Sequence, residues 1–223
     1  MNQLEQFNNI INFLKEHNMH DKVIIAGSWA YYIYKNYYFK NQYAATLLRT
    51  SDLDIYIPFK WKRKIRPQFS FKDEIQKIGY VEKIAQDPQG IYHKYYNEDF
   101  KLEFITEQSH NGSIGRGVYV YGLQIALNPI DNLEMINHPI SVEINPELLL
   151  FVPEPVYFAL HKVYIAERRE NDLKKEKDWE QALDVLSILK PSKIKKAFKS
   201  LSAKLKTAIL ENLKLKQADE YID

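Results

Sequence analysis

Cysteine is absent from this 223-residue chain. That excludes disulfides, a thiolate nucleophile and cysteine-ligated zinc together. Also missing is any apolar run of about 18 residues, the length needed to cross a bilayer. The first residues, M-N-Q-L-E-Q, lack a basic start leading into an apolar core. Neither a membrane span nor a secretory signal is therefore predicted, and the cytoplasm is the expected compartment. Glycine is scarce, with 7 residues. The one glycine-rich stretch, Ser109–Gly117, has no Lys-Ser/Thr at the spacing of a P-loop. Neither charge sign is in excess, the net charge being +2, so partners must be read from where the charges sit. The 45% hydrophobic and 27% charged residues fit a globular chain long enough to bury a core without staples.

The stretch Thr50–Ile57, T-S-D-L-D-I-Y-I, carries the strongest chemical signal. As a β-strand it sends Asp52 and Asp54 to one face, continued by Tyr56, and Leu53, Ile55 and Ile57 to the other. Paired carboxylates resist burial unless a cation or proton lies between them. The strand thus reads as a platform for Mg²⁺, or else as a strand end with two solvated acids. Upstream, Val23–Ala26 is a short buried strand, followed by Gly27-Ser28 and a helix-compatible aromatic run from Trp29 to Tyr38. A strand, a tight Gly-Ser turn and a helix make an anion site from backbone N–H groups and the Ser28 hydroxyl. Serine as an ordinary helix cap is the plainer alternative.

The remaining elements follow from periodicity and turn chemistry. Apolar spacing at Leu4, Phe7, Ile10, Ile11 and Leu14 predicts a first helix. Phe71–Ile78 is a short helix ended by Gly79. Strands are expected at Tyr80–Ala85, Ile91–Tyr96 and Phe100–Thr106, separated by Asp87-Pro88-Gln89-Gly90 and Asn97-Glu98-Asp99. Glu103 alternates with Leu102 and Phe104 in the third of them. Val118–Leu127 and Ile140–Ile144 are further strands, with a helical turn between. Pro146, Pro153 and Pro155 bracket a connection. Three amphipathic helices then follow, over Glu154–Arg169, Lys175–Leu189 and Lys193–Leu213. The expected fold class is α+β: a mixed β-sheet flanked by helices over residues 1–148, then a C-terminal helical bundle over 149–223.

The order of strand, Gly27-Ser28, helix, Asp52-x-Asp54 and a later strand with Glu103 resembles the nucleotidyltransferase superfamily typified by DNA polymerase β. The C-terminal string P-V-Y-F-A-L-H-K-V-Y-I-A-E-R-R, followed by K-K-E-K-D-W-E-Q-A, looks like the helical part of bacterial stand-alone nucleotidyltransferases. That group includes the abortive-infection (type IV toxin–antitoxin) toxins. The matching positions are Lys162, Arg168 or Arg169, Lys177 and Asp178. Two departures are visible: the helix between Ser28 and Asp52 carries an insertion or longer loop (Asn36–Leu48), and Glu103 stands where aspartate is usual.

The resemblance implies nucleotidyl transfer, an in-line attack on the α-phosphorus of an NTP that expels pyrophosphate. Two Mg²⁺ ions about 3.5–4 Å apart hold both ends of such a displacement, with Mn²⁺ as an alternative. Asp52 and Asp54 would ligate both ions. Glu103 would complete the site of the ion that activates the acceptor and take its proton. Gly27 and Ser28 would hold the β- and γ-phosphates. Lys162 and Lys177 would neutralise the triphosphate in a cleft between domains, with Asp178 as an orienting or salt-bridging partner.

Two basic stretches address the acceptor. One is K-W-K-R-K-I-R, with Lys62, Arg63 and Lys64. The other is Ser187–Lys216, lysine-rich with Glu211 as its single acid, and including Lys195, Lys196 and Lys199. Each is either a solvated face or a contact for nucleic-acid backbone. RNA, with tRNA the leading candidate by resemblance to the toxin group, is the expected acceptor, and an antitoxin protein the expected partner of a toxin. A protein hydroxyl or a small molecule such as an aminoglycoside satisfies the same chemistry. A non-catalytic module that keeps the fold to bind a nucleotide or a protein is the competing class.

Overall fold

The computed structural model describes residues 2–40, 50–62, 65, 69–87, 90–98, 100–108 and 118–222. They form two compact units, Met1–Val152 and Pro153–Asp223.

The first unit is built on a mixed sheet. Its strands are β1 (Ile24–Ile25), β2 (Asp52–Tyr56), β3 (Val81–Asp87), β4 (Gly90–Asn97), β5 (Phe100–Glu107), β6 (Val118–Val120), β7 (Ile125–Ile130), β8 (Pro139–Asn145) and β9 (Leu148–Pro153). The main path runs β3-β4-β5-β2-β1-β9-β8, with β7 beside the end of β5 and β6 beside β7. β2 and β5 are parallel, with Asp52 opposite Lys101 and Asp54 opposite Glu103. Because side chains alternate along a strand, these four polar residues share one face. Leu53, Ile55, Leu102 and Phe104 occupy the other, fully buried.

Helices cover that apolar face. α1 (Gln3–Glu16) is capped by Asn2, whose side chain accepts from the Glu5 amide. It buries Phe7, Ile10, Ile11 and Leu14 of the predicted stripe and Phe13 beside them, while Leu4 at its start is exposed. α2 (Gly27–Ile33) continues as a π-helical turn over Tyr34–Tyr38. Phe7 stacks on Trp29 at 4.1 Å. α3 (Phe71–Lys77), capped by Ser70, sets Phe71 edge-on against Phe104 at 4.9 Å and Tyr95 at 5.0 Å. On the opposite face, beyond the acids, Ile24, Ala26, Tyr56, Ile105, Leu133 and Ile136 form a second cluster that Trp61 and Phe151 join.

The second unit holds α4 (Pro155–Ala166), α5 (Asp172–Ile188), α6 (Pro191–Ser200) and α7 (Ala203–Leu215). α4 packs against the other three. Trp179 is buried, and its indole N–H donates to Glu167 at 2.9 Å.

Three sequence expectations change. The third C-terminal helix is two helices, because Ser202 accepts from the Leu205 amide and caps α7. Val118–Leu127 is not one strand but the antiparallel pair β6 and β7, turned through Gln124 at φ 58°. The proline-bracketed connection contains β9, which pairs in parallel with β1. β9 reads as buried at alternate positions, and Pro153 ends it, where a missing N–H costs the ladder least.

Among the described residues, no helix is long and apolar enough to cross a membrane.

Candidate active site

The Gly-Ser turn and the D-x-D strand meet at a single corner. The Ala26 amide donates to the Asp54 carbonyl at 2.9 Å, carrying the chain from β1 into α2 directly beside β2. Gly27 adopts φ +60°, and a Cβ built on it would lie 2.8 Å from Asp54 Oδ2. A side chain there would force the Asp54 carboxylate to shift, and the positive φ favours glycine besides. Ser28 follows, buried in the first turn of α2. The sequence-predicted residues Gly27, Ser28, Asp52 and Asp54 are thus neighbours in space.

Glu103, on β5, is 5% exposed. Its carboxylate accepts from Asn128 Nδ2 at 2.6 Å and lies 3.0 Å from Lys101 Nζ. Lys94 Nζ is 3.9 Å away. Lys101 also reaches Asp52 Oδ1 at 3.7 Å. Burial works against the Lys101 charge, but Glu103, then Asp54 and Asp52, outweigh it and raise its pKa above the usual lysine value. The site therefore carries an internal cation among its acids. Lys101 and Lys94 escaped the sequence reading, although K-L-E places Lys101 on Glu103's face by simple alternation. Asn128 had no local signal, since it arrives from β7, which runs parallel to the end of β5.

Asp52 and Asp54 offer hard carboxylate oxygens from one strand face, and an ammonium already lies against Asp52. That donor set fits Mg²⁺, which takes one or two carboxylates and completes its shell with phosphate and water. Among the described residues, no three His, Asp or Glu side chains converge on one cation position. Glu103 contacts Lys101, Lys94 and Asn128 and lies opposite Asp54 in the β2–β5 register.

The predicted helical residues form a separate constellation. Lys162 of α4 and Asp178 of α5 make a buried ion pair, and Arg169 Nε donates to the second Asp178 oxygen at 2.8 Å. Burial opposes the Asp178 charge, but Lys162 and Arg169 prevail and lower its pKa. The adjacent His161 ring has Nε2 sealed from solvent without a hydrogen-bond partner, and burial, then Lys162, push its pKa down to about 3. Lys177 is half-buried on α5. Of the basic residues, Lys62 sits 3.9 Å over the Phe59 ring. Lys195 is half-buried on α6, and Lys196 and Lys199 are exposed. Arg63, Lys64 and the Ser109–Gly117 loop lie outside the described residues.

Solved structures share this arrangement of elements. ANT(2″)-Ia in complex with adenylyl-2″-tobramycin is 12% identical, with a TM-score of 0.51 over 94% of this chain and 97% of that one. An antigenic nucleotidyltransferase-like protein from Paracoccidioides brasiliensis is 14% identical, with a TM-score of 0.51 over 96% and 91%. At such identities the likeness is one of fold. Among curated proteins, none matches the sequence. A family model described as nucleotidyltransferase matches residues 5–206, a span that takes in the Gly-Ser corner, the D-x-D strand and most of the helical unit. The chain therefore belongs to this nucleotidyltransferase family, as a transferase of nucleotidyl groups.

Proposed function

We propose that the protein transfers NMP from an NTP to a hydroxyl of RNA, using the corner where Gly27 meets Asp54. That contact carries the reading, since it brings a backbone anion site against a carboxylate pair otherwise distant in sequence. Asp52 and Asp54 are the residues that would hold magnesium, which when bound neutralises the triphosphate and polarises the α-phosphorus. The Gly27–Ser28 backbone and the Ser28 hydroxyl hold the β- and γ-phosphates. Glu103, held by Lys101 and Asn128, accepts the proton of the acceptor hydroxyl. Lys101 holds Glu103 in place and keeps positive charge beside Asp52. Lys177 remains a candidate for the triphosphate. Lys162 and Asp178 are engaged with each other, and we assign them to positioning α4 against α5. The toxin and antitoxin reading rests on the helical motif alone. RNA is favoured over protein or small-molecule acceptors by the lysines of α6 and α7.

The test is incubation of the protein with α-labelled NTPs, Mg²⁺ and either total RNA or cell lysate. Label is expected in RNA. Label in protein or in a small molecule would overturn the acceptor, and label in none would favour a binding module. Asp52→Asn or Asp54→Asn should remove several kcal/mol of transition-state stabilisation, about a thousandfold in kcat/KM at ~1.4 kcal/mol per tenfold. Both variants should also abolish Mg²⁺-dependent thermal stabilisation by NTP. Full activity in Glu103→Gln would remove Glu103 from the chemistry.

A further inference from the structure

The acid-bearing face of the sheet continues outward from the catalytic corner, and its charge changes sign on the way. Register places Lys94 opposite Glu103 and Tyr96 opposite Lys101 on β4. It then places Val81 opposite Tyr96 and Lys83 opposite Lys94 on β3. Alternation puts all of these on the face of Asp52 and Asp54. Lys83 Nζ lies 4.7 Å from the Tyr96 ring centroid, and Lys94 Nζ 5.0 Å from that of Tyr92. Val81 is 60% exposed and Lys83 is exposed, so the face is open at the β3 edge.

We propose that this β3–β4 face is the acceptor platform, and that its occupant is a single-stranded nucleic acid. The proposal rests on the transferase reading above and specifies where the acceptor lies. Charge complementarity selects the occupant. From β5 outward, Lys101, Lys94 and Lys83 form a cationic row suited to phosphates, with Tyr96 between them as a stacking surface for a base. A polycationic acceptor such as an aminoglycoside would meet like charges along the same approach. β3 lies three strands from β2, about 14 Å at the sheet spacing, or roughly four stacked nucleotides at ~3.4 Å each. A strand held by Lys83 and Tyr96 can therefore bring its terminal hydroxyl to Glu103 and the aspartates.

The experiment measures anisotropy of a short fluorescein-labelled single-stranded oligoribonucleotide of mixed sequence against the full chain. The variants are Lys83→Glu, Tyr96→Ala and Lys77→Glu. Lys77 is a charge-matched control on α3, on the opposite face of the sheet. Each platform variant should weaken binding about tenfold, and Lys83→Glu should flatten its salt dependence. Lys77→Glu should bind as the parent does. The thermal shift given by Mg²⁺ and NTP should persist in all three. The proposal is overturned if the parent does not bind the oligonucleotide, if platform variants bind it equally well, or if Lys77→Glu loses as much as they do. Platform-sensitive binding without any nucleotide-dependent shift in the parent would sink the transferase site and leave the platform standing.

Discussion

Gly27 shows how much of the site depends on an absent side chain. Its φ of +60° and the 2.8 Å gap between a built Cβ and Asp54 Oδ2 impose two separate costs on alanine. The left-handed backbone costs about 1–2 kcal/mol in a residue with a Cβ. The clash falls on the Asp54 side chain, which must move. Gly27→Ala should therefore lower the thermal midpoint and also cut NMP transfer by up to about a hundredfold, the loss a misplacement near 1 Å can cause. Gly79→Ala is the control. It has φ +88° and a tight 3.2 Å approach to Asn97 Nδ2, so it should lose stability with kcat/KM retained. Equal activity loss in both variants would show that the Gly27 effect is merely one of folding. The Gly-Ser pair was legible in sequence as a turn. Its contact with Asp54 was not, because that contact is made across β1 and β2.

At the scale of elements, β5 and the α4–α5 pair show how packing decides what a residue read as functional touches. In β5, alternation picks out Glu103 from sequence, while Lys101 two residues earlier went unremarked. Its position against Glu103 and Asp52 depends on the parallel register with β2, which no local pattern encodes. Lys162 was read toward the triphosphate with Asp178 as an orienting or salt-bridging partner, and the two form a buried pair that Arg169 closes. Asp178→Asn should destabilise the protein by about 3–5 kcal/mol in denaturant unfolding, since it leaves the Lys162 charge buried and unpaired. The double variant Lys162→Met/Asp178→Leu should recover most of that loss, and should keep the nucleotide-dependent thermal shift. Loss of that shift would return the pair to the nucleotide site. Asp178 has a lowered folded pKa. Its contribution is thus present above its unfolded value of 3.8 and lost as pH falls through the folded one.

Across the whole molecule, the chain divides between Val152 and Pro153, and basic residues occur in both units. Among the described residues of the basic stretch after β2, Trp61 packs on Phe151 and Ile65 is buried. On α6, Ile194 and Ala197 turn inward while Lys196 and Lys199 remain exposed. If these lysines contact nucleic-acid backbone, Lys195→Gln/Lys196→Gln/Lys199→Gln should reduce the salt slope of oligoribonucleotide binding by about 2, at ~0.7 per single-strand phosphate. An unchanged slope would mark them as the solvated face of an amphipathic helix. The lysine count was visible in sequence; the break at Ser202 into two helices was less so, since apolar spacing continues across it.

The sequence by itself determined the order of chemistry along the chain: a strand, a Gly-Ser turn, paired aspartates on one strand face and a later strand bearing Glu103. Those features are local, set by side-chain alternation and by glycine's tolerance of positive φ. Only the tertiary structure decided what each of them touches. The sheet places β5 beside β2, out of sequence order, as well as beside its sequence neighbour β4. Register across those strands, an outcome of packing the apolar face against α1 and α3, is what seats Lys101 among the acids and lines Lys94, Tyr96 and Lys83 beside them.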